Sequence, residues 1–210
     1  MDQQSFYVHT DLLQKFSQSF KPTLEDASSV DDKLQVISLR GHHPEIFQVF
    51  VHFLYTGLIF SSKEGDFKLD PTSSPSPPTD AEWTRLMGAW VLGETLSATP
   101  FKDACVDALI VKMNETGKFP PNGYTIVYNH GTAHCGMHRL CVDVAVWRSN
   151  DAFLARCERD GKFGEYWFDV AVALKKARHD GRKGEASFTK DGTCYYHDHG
   201  DEEPCYKTMF

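Results

Sequence analysis

Long apolar runs are missing from this chain. No stretch has the roughly twenty consecutive apolar residues that a membrane-spanning helix needs, and the N-terminal MDQQSFYVHTDLLQKF has no apolar core for an export signal. A positive field is missing too: the formal charge is −7, so nothing draws in nucleic-acid phosphates generally. The basic clusters, Lys175, Lys176 and Arg178 and then Arg182 and Lys183, are short and read as the solvated end of a helix. Internal repeats are absent. Six cysteines without an export signal favour reduced thiols over disulfides, hence an intracellular chain, cytoplasmic or nuclear. What is present is ordinary for a globular protein: 41% apolar and 24% charged residues in a 210-residue chain able to bury a real core.

Composition shifts sharply once, at SSKEGDFKLDPTSSPSPPTD (61–80). With only Phe67 and Leu69 as large apolar residues, this segment reads as a disordered surface insertion. Before it, SFYVH (5–9), LQVISL (34–39) and LIF (58–60) read as short strands. Thr10 or Asp11 caps a helix through Leu12, Leu13, Phe16 and Phe20. Pro44 opens a second helix, bearing Ile46, Phe47, Val49, Phe50, Phe53 and Leu54, and Gly57 ends it. After the insertion, Thr79 or Asp80 caps a helix with Trp83, Leu86, Met87, Trp90 and Val91. Thr99 and Pro100 start the next, with Phe101, Cys105, Ala108, Leu109 and Met113. The expected class is α+β: a helix-rich domain with a small short-stranded sheet, over 5–115. A mainly helical extension, 118–210, follows. There YTIVY (124–128) fits either period. MHRLCVDVAVW (137–147) aligns Leu140, Val144 and Trp147, and FGEYWFDVAVALKKAR (163–178) aligns Phe163, Trp167, Val170 and Leu174.

In order along the chain come Phe6, His9 and Leu13, then Leu39 and Pro44, then Leu54-Tyr55-Thr56-Gly57, and then a helix pair at 81–96 and 100–115. This track resembles a BTB/POZ domain, and the tail resembles the short BTB proteins of filamentous fungi. The resemblance implies an interaction module that self-associates as a homodimer or recruits protein partners; it does not imply an enzyme. The family's strand before the Phe-x-Val-His entry has no counterpart here; by the resemblance, its loss would expose a neighbour's unpaired backbone edge, inviting pairing with another chain or instability. Some family members are substrate adaptors for cullin-type ubiquitin ligases. The triplet Phe50-Val51-His52 puts histidine where those members often carry an acidic residue, which weakens that alternative.

Two clusters offer metal chemistry. His130, His134 and His138 recur every four residues, with Cys135 and Cys141 nearby. Gly131 and Gly136 interrupt a continuous helix, and no Glu follows His134, so the segment reads as a polar loop before a helix. Neither Cys135 nor Cys157 has a nameable histidine–acid pair that would make it a nucleophile. CYYHDHGDEEPCY (194–206) is the stronger candidate. Cys194, His197, His199 and Cys205 are donors that suit a closed structural zinc site, provided the chain turns near Tyr195–Tyr196 and folds back at Gly200 and Pro204. An acidic tail with packed cysteines and a Cys194–Cys205 disulfide are the competing readings. No cofactor is required by the interaction reading. A metal-dependent enzyme using both clusters is the remote alternative, because four protein ligands leave no open position for chemistry.

Overall fold

The computed structural model describes residues 4–21, 36–62, 81–120, 122–150, 163–179, 188, 194–200 and 202–210. Two compact units emerge. One is Met1–Leu109 together with His199–Phe210, and the other is Ile110–Asp198.

The first unit begins with α1 (Thr10–Phe16), which buries Leu13 and Phe16. Helix α2 (Pro44–Thr56) shows how local signals set an element's limits. Pro44 sits in the first turn, and the His43 side chain accepts a hydrogen bond from the Glu45 N–H. At the other end Gly57 takes the left-handed conformation, with φ 71°, and its N–H closes on the Phe53 carbonyl. Val49, Phe50, Phe53 and Leu54 share one face and are buried. That face packs on α3 (Ala81–Thr95), which supplies Trp83, Leu86, Met87 and Trp90, and on Phe101 of α4 (Thr99–Thr116). Phe50 and Phe53 meet the Phe101 ring at 4.9 and 5.3 Å. Full burial of each such side chain is worth about 1.5–3 kcal/mol.

Residues 202–210 complete this core. Phe210 stacks on Phe16 at 5.1 Å and meets Phe53 edge-on at 5.5 Å. The Tyr206 hydroxyl donates to Asp107 at 2.7 Å, and Lys207 pairs with the same carboxylate at 2.8 Å.

The second unit is built on α5 (Gly123–His130), α6 (Gly136–Trp147) and α7 (Gly164–His179), with α6 packed against both others. Tyr124 stacks on Tyr166 at 4.4 Å, and Tyr128 donates to Asp169 at 2.8 Å. The buried residues of α7 are Tyr166 and Val170; Leu174, expected on the packed face, is exposed. Lys176, Arg178 and His179 fill its last turn, where the helix dipole favours positive charge.

The expected small sheet is not there: among the described residues no strand forms, and seven α-helices make the fold. Alternating apolar residues say which way side chains point, but a strand also needs a ladder partner. Residues 5–9 instead pack on α2, with Phe6 against Phe47 at 5.1 Å and His9 bonded to Tyr55. Leu58–Phe60 is anchored by hydrogen bonds from Leu58 N–H to Thr56 and from Arg85 to the Ser61 carbonyl. Of LQVISL, residues 36–39 are irregular, and Leu34 and Gln35 lie outside the described residues. YTIVY belongs to α5, because Tyr124 and Val127, one helical turn apart, are both buried. The 61–80 insertion beyond Ser62, the Thr79 and Asp80 caps, the Arg182–Lys183 pair and Cys157 also lie outside the described residues.

Candidate functional site

Motif residues far apart in sequence meet in the first unit. His9 Nδ1 lies 2.8 Å from the Tyr55 hydroxyl, and the His9 N–H donates to the same oxygen at 3.3 Å. The Phe-x-Val-His entry is thereby fastened to the Leu-Tyr-Thr-Gly helix stop. His9 is thus a hydrogen-bonded structural histidine, although exposed. Thr56 closes the stop: its hydroxyl donates to the His52 carbonyl at 2.8 Å and accepts from Leu58 N–H at 3.2 Å. His52 is exposed, with its ring against Phe60 at 5.8 Å. Around this frame Tyr7, Val36, Leu58 and Phe60 are more than half exposed, at 80%, 87%, 58% and 52%.

Of the histidine cluster in the second unit, His138 is committed to structure. Backbone His134 N–H donates to His138 Nδ1 at 3.2 Å, so Nε2 carries the ring proton and faces the Val127 carbonyl at 3.3 Å. Both ring nitrogens are thus engaged, and the ring stacks on Tyr128 at 4.1 Å. His130 and His134 are exposed. The thiols nearby are poor nucleophiles. Burial, then the neighbouring Cys135, pushes the Cys141 thiol well above its ordinary range. Burial, then Asp103, does the same to Cys105 in the first unit. Protonated, buried thiols are inert.

The loop from 194 to 205 makes the turns its sequence requires. Tyr195–Tyr196 is a turn closed by His197 N–H on the Cys194 carbonyl at 3.0 Å, and Glu203 N–H reaches the Gly200 carbonyl at 3.1 Å. Of the four expected ligands, Cys194 and His197 lie in the second unit and His199 and Cys205 in the first. Cys194 is exposed, His197 buried, and His199 and Cys205 half-buried. Both cysteines are thiols, not joined in a disulfide.

Arg139 has a role that no sequence signal marks. From α6 its guanidinium donates to the carbonyls of Tyr195 and His197 at 2.9 Å each and to that of His134 at 2.8 Å. Asp198 accepts from Gly136 N–H at the start of the same helix. The Tyr196 hydroxyl donates to Asp143 at 2.7 Å; burial, then that carboxylate, holds this phenol well above its usual range.

Among curated proteins and among solved structures, nothing matches the chain. At the N-terminal end, where the fastened helix stop and the exposed apolar residues lie, residues 1–69 match the BTB/POZ domain family.

Proposed function

We propose that the chain is a protein-interaction module whose first unit binds a second copy of itself. The observation that carries this reading is the exposed apolar set Tyr7, Val36, Leu58 and Phe60, all within the 1–69 match. These residues sit on segments whose backbone joins no ladder among the described residues. Such a segment gains both hydrogen bonds and buried apolar area by pairing with another chain. The BTB/POZ match supports the same reading, because domains of that family are interaction modules.

Light scattering coupled to size-exclusion chromatography tests it. The wild type elutes with twice the chain mass, and Tyr7→Asp with Leu58→Asp shifts it to the monomer while the far-UV spectrum stays the same. A wild type that remains monomeric at high concentration overturns the proposal.

A further inference from the structure

We propose that the outer face of α7 pairs antiparallel with the same face of α7 in a second copy of the chain. The helix belongs to the second unit and shares no residue with the pairing proposed for the first. Its inner face buries Tyr166 and Val170 and packs on α6. On the opposite side Phe168 and Val172 are 68% and 50% exposed. Four residues apart, they lie one above the other on a single line. A lone exposed apolar residue is ordinary, but two aligned on one helix form a strip that gains by being covered.

The charges at the ends of the strip say what covers it. Exposed Glu165 lies about one turn before Phe168, and exposed Lys175 about one turn after Val172. At 3.6 residues per turn the four side chains fall within about 80° of arc. The line therefore runs acid, aromatic, β-branched, base, and turned end for end it is its own complement. When Phe168 packs on Val172 of the second copy, the same register sets Glu165 opposite the second copy's Lys175, because both pairs are centred on position 170. Two-fold symmetry repeats each contact, which makes the interface isologous. A parallel pair in register would set Glu165 on Glu165 and Lys175 on Lys175, and a uniformly acidic or basic partner would satisfy one end only.

One helix stripe per copy is less than the roughly 1,200 Å² that standard stable interfaces bury, so the contact is weak, with a Kd on the order of 0.1 mM. It is lost at chromatographic dilution and forms at high local concentration.

The test uses the full chain carrying Tyr7→Asp and Leu58→Asp, so that the first unit contributes nothing and its own reading stands or falls separately. Sedimentation equilibrium in low salt, in a series reaching about 1 mM, gives a monomer–dimer equilibrium. Phe168→Asp removes it. Glu165→Lys and Lys175→Glu each weaken it by about tenfold, since each replaces two attractive contacts by two repulsive ones. An equimolar mixture of these two variants associates as the parent does, because each now complements the other. Within one helix the two positions are about 15 Å apart, so recovery on mixing reports a contact between chains. A parent chain that stays monomeric throughout the series overturns the proposal, whatever the variants do. So does association that survives Phe168→Asp, or a mixture of the two natively folded charge variants that associates no better than either alone; the strip then serves another occupant.

Discussion

Gly136 opens α6 directly beneath the turn at Tyr195–Tyr196, and a β-carbon added there would run into the Tyr196 carbonyl. Helix propensity alone favours alanine over glycine by up to about 1 kcal/mol, so the two effects oppose. Sterics wins because the obstacle is backbone held by Arg139 on both sides, not the free end of a side chain. Gly136→Ala is expected to lose about 1–3 kcal/mol, a few degrees in melting temperature. Gly164→Ala, at the first position of α7 with nothing near the added carbon, is expected to be neutral or slightly stabilising. Equal melting curves for Gly136→Ala and Gly164→Ala would remove this account of the α6 start. In the sequence Gly136 reads only as a helix interruption inside a histidine cluster. The carbonyl that forbids any larger residue comes from a distant turn, which periodicity does not report. His138 illustrates the same limit: its spacing suggests a ligand, and only the Val127 carbonyl and the His134 N–H show that both nitrogens are taken.

Helix α2 was the most legible element, because Pro44, the apolar face and Gly57 are local signals that agree with one another. The strands were not legible, since pairing is a relation between segments and LIF or SFYVH carries no mark of a missing partner. Nor does the sequence disclose that Phe210 completes the packing at α2's end. A β-carbon on Gly57 would collide with the Phe210 ring, and the left-handed φ adds strain of about 1–2 kcal/mol for any residue but glycine. Phe210→Ala forfeits the stack on Phe16; with the ring 55% exposed, about 1–2 kcal/mol is expected. Gly57→Ala is costlier with Phe210 present than without it, because part of its cost is that collision. In urea unfolding the double variant should therefore fall short of the summed single losses by about 0.5–1 kcal/mol or more. Strict additivity would mean that the ring and the helix stop are independent.

Among the described residues one device recurs three times: a tyrosine hydroxyl donating to an aspartate. Tyr206 meets Asp107 in the first unit, and Tyr128 meets Asp169 and Tyr196 meets Asp143 in the second, at 2.7, 2.8 and 2.7 Å. In each, burial first and the carboxylate second raise the phenol's pKa above its ordinary value. In the unfolded chain these phenols ionise near pH 10. Below that pH both states keep their protons and the contribution to stability is complete. Above it the unfolded state releases protons that the folded state retains, so stability falls as pH rises. Of the eight tyrosines, at least these three should stay un-ionised in the folded protein past pH 10 and appear as tyrosinate absorbance only as the chain unfolds. Replacing all three by phenylalanine should make alkaline unfolding less steep in pH, while costing stability at neutral pH through the lost hydrogen bonds to charged partners, about 1.5–3 kcal/mol each. Smooth ionisation of every tyrosine at the ordinary phenol value, with the far-UV spectrum still native, would show that the carboxylates do not hold these protons.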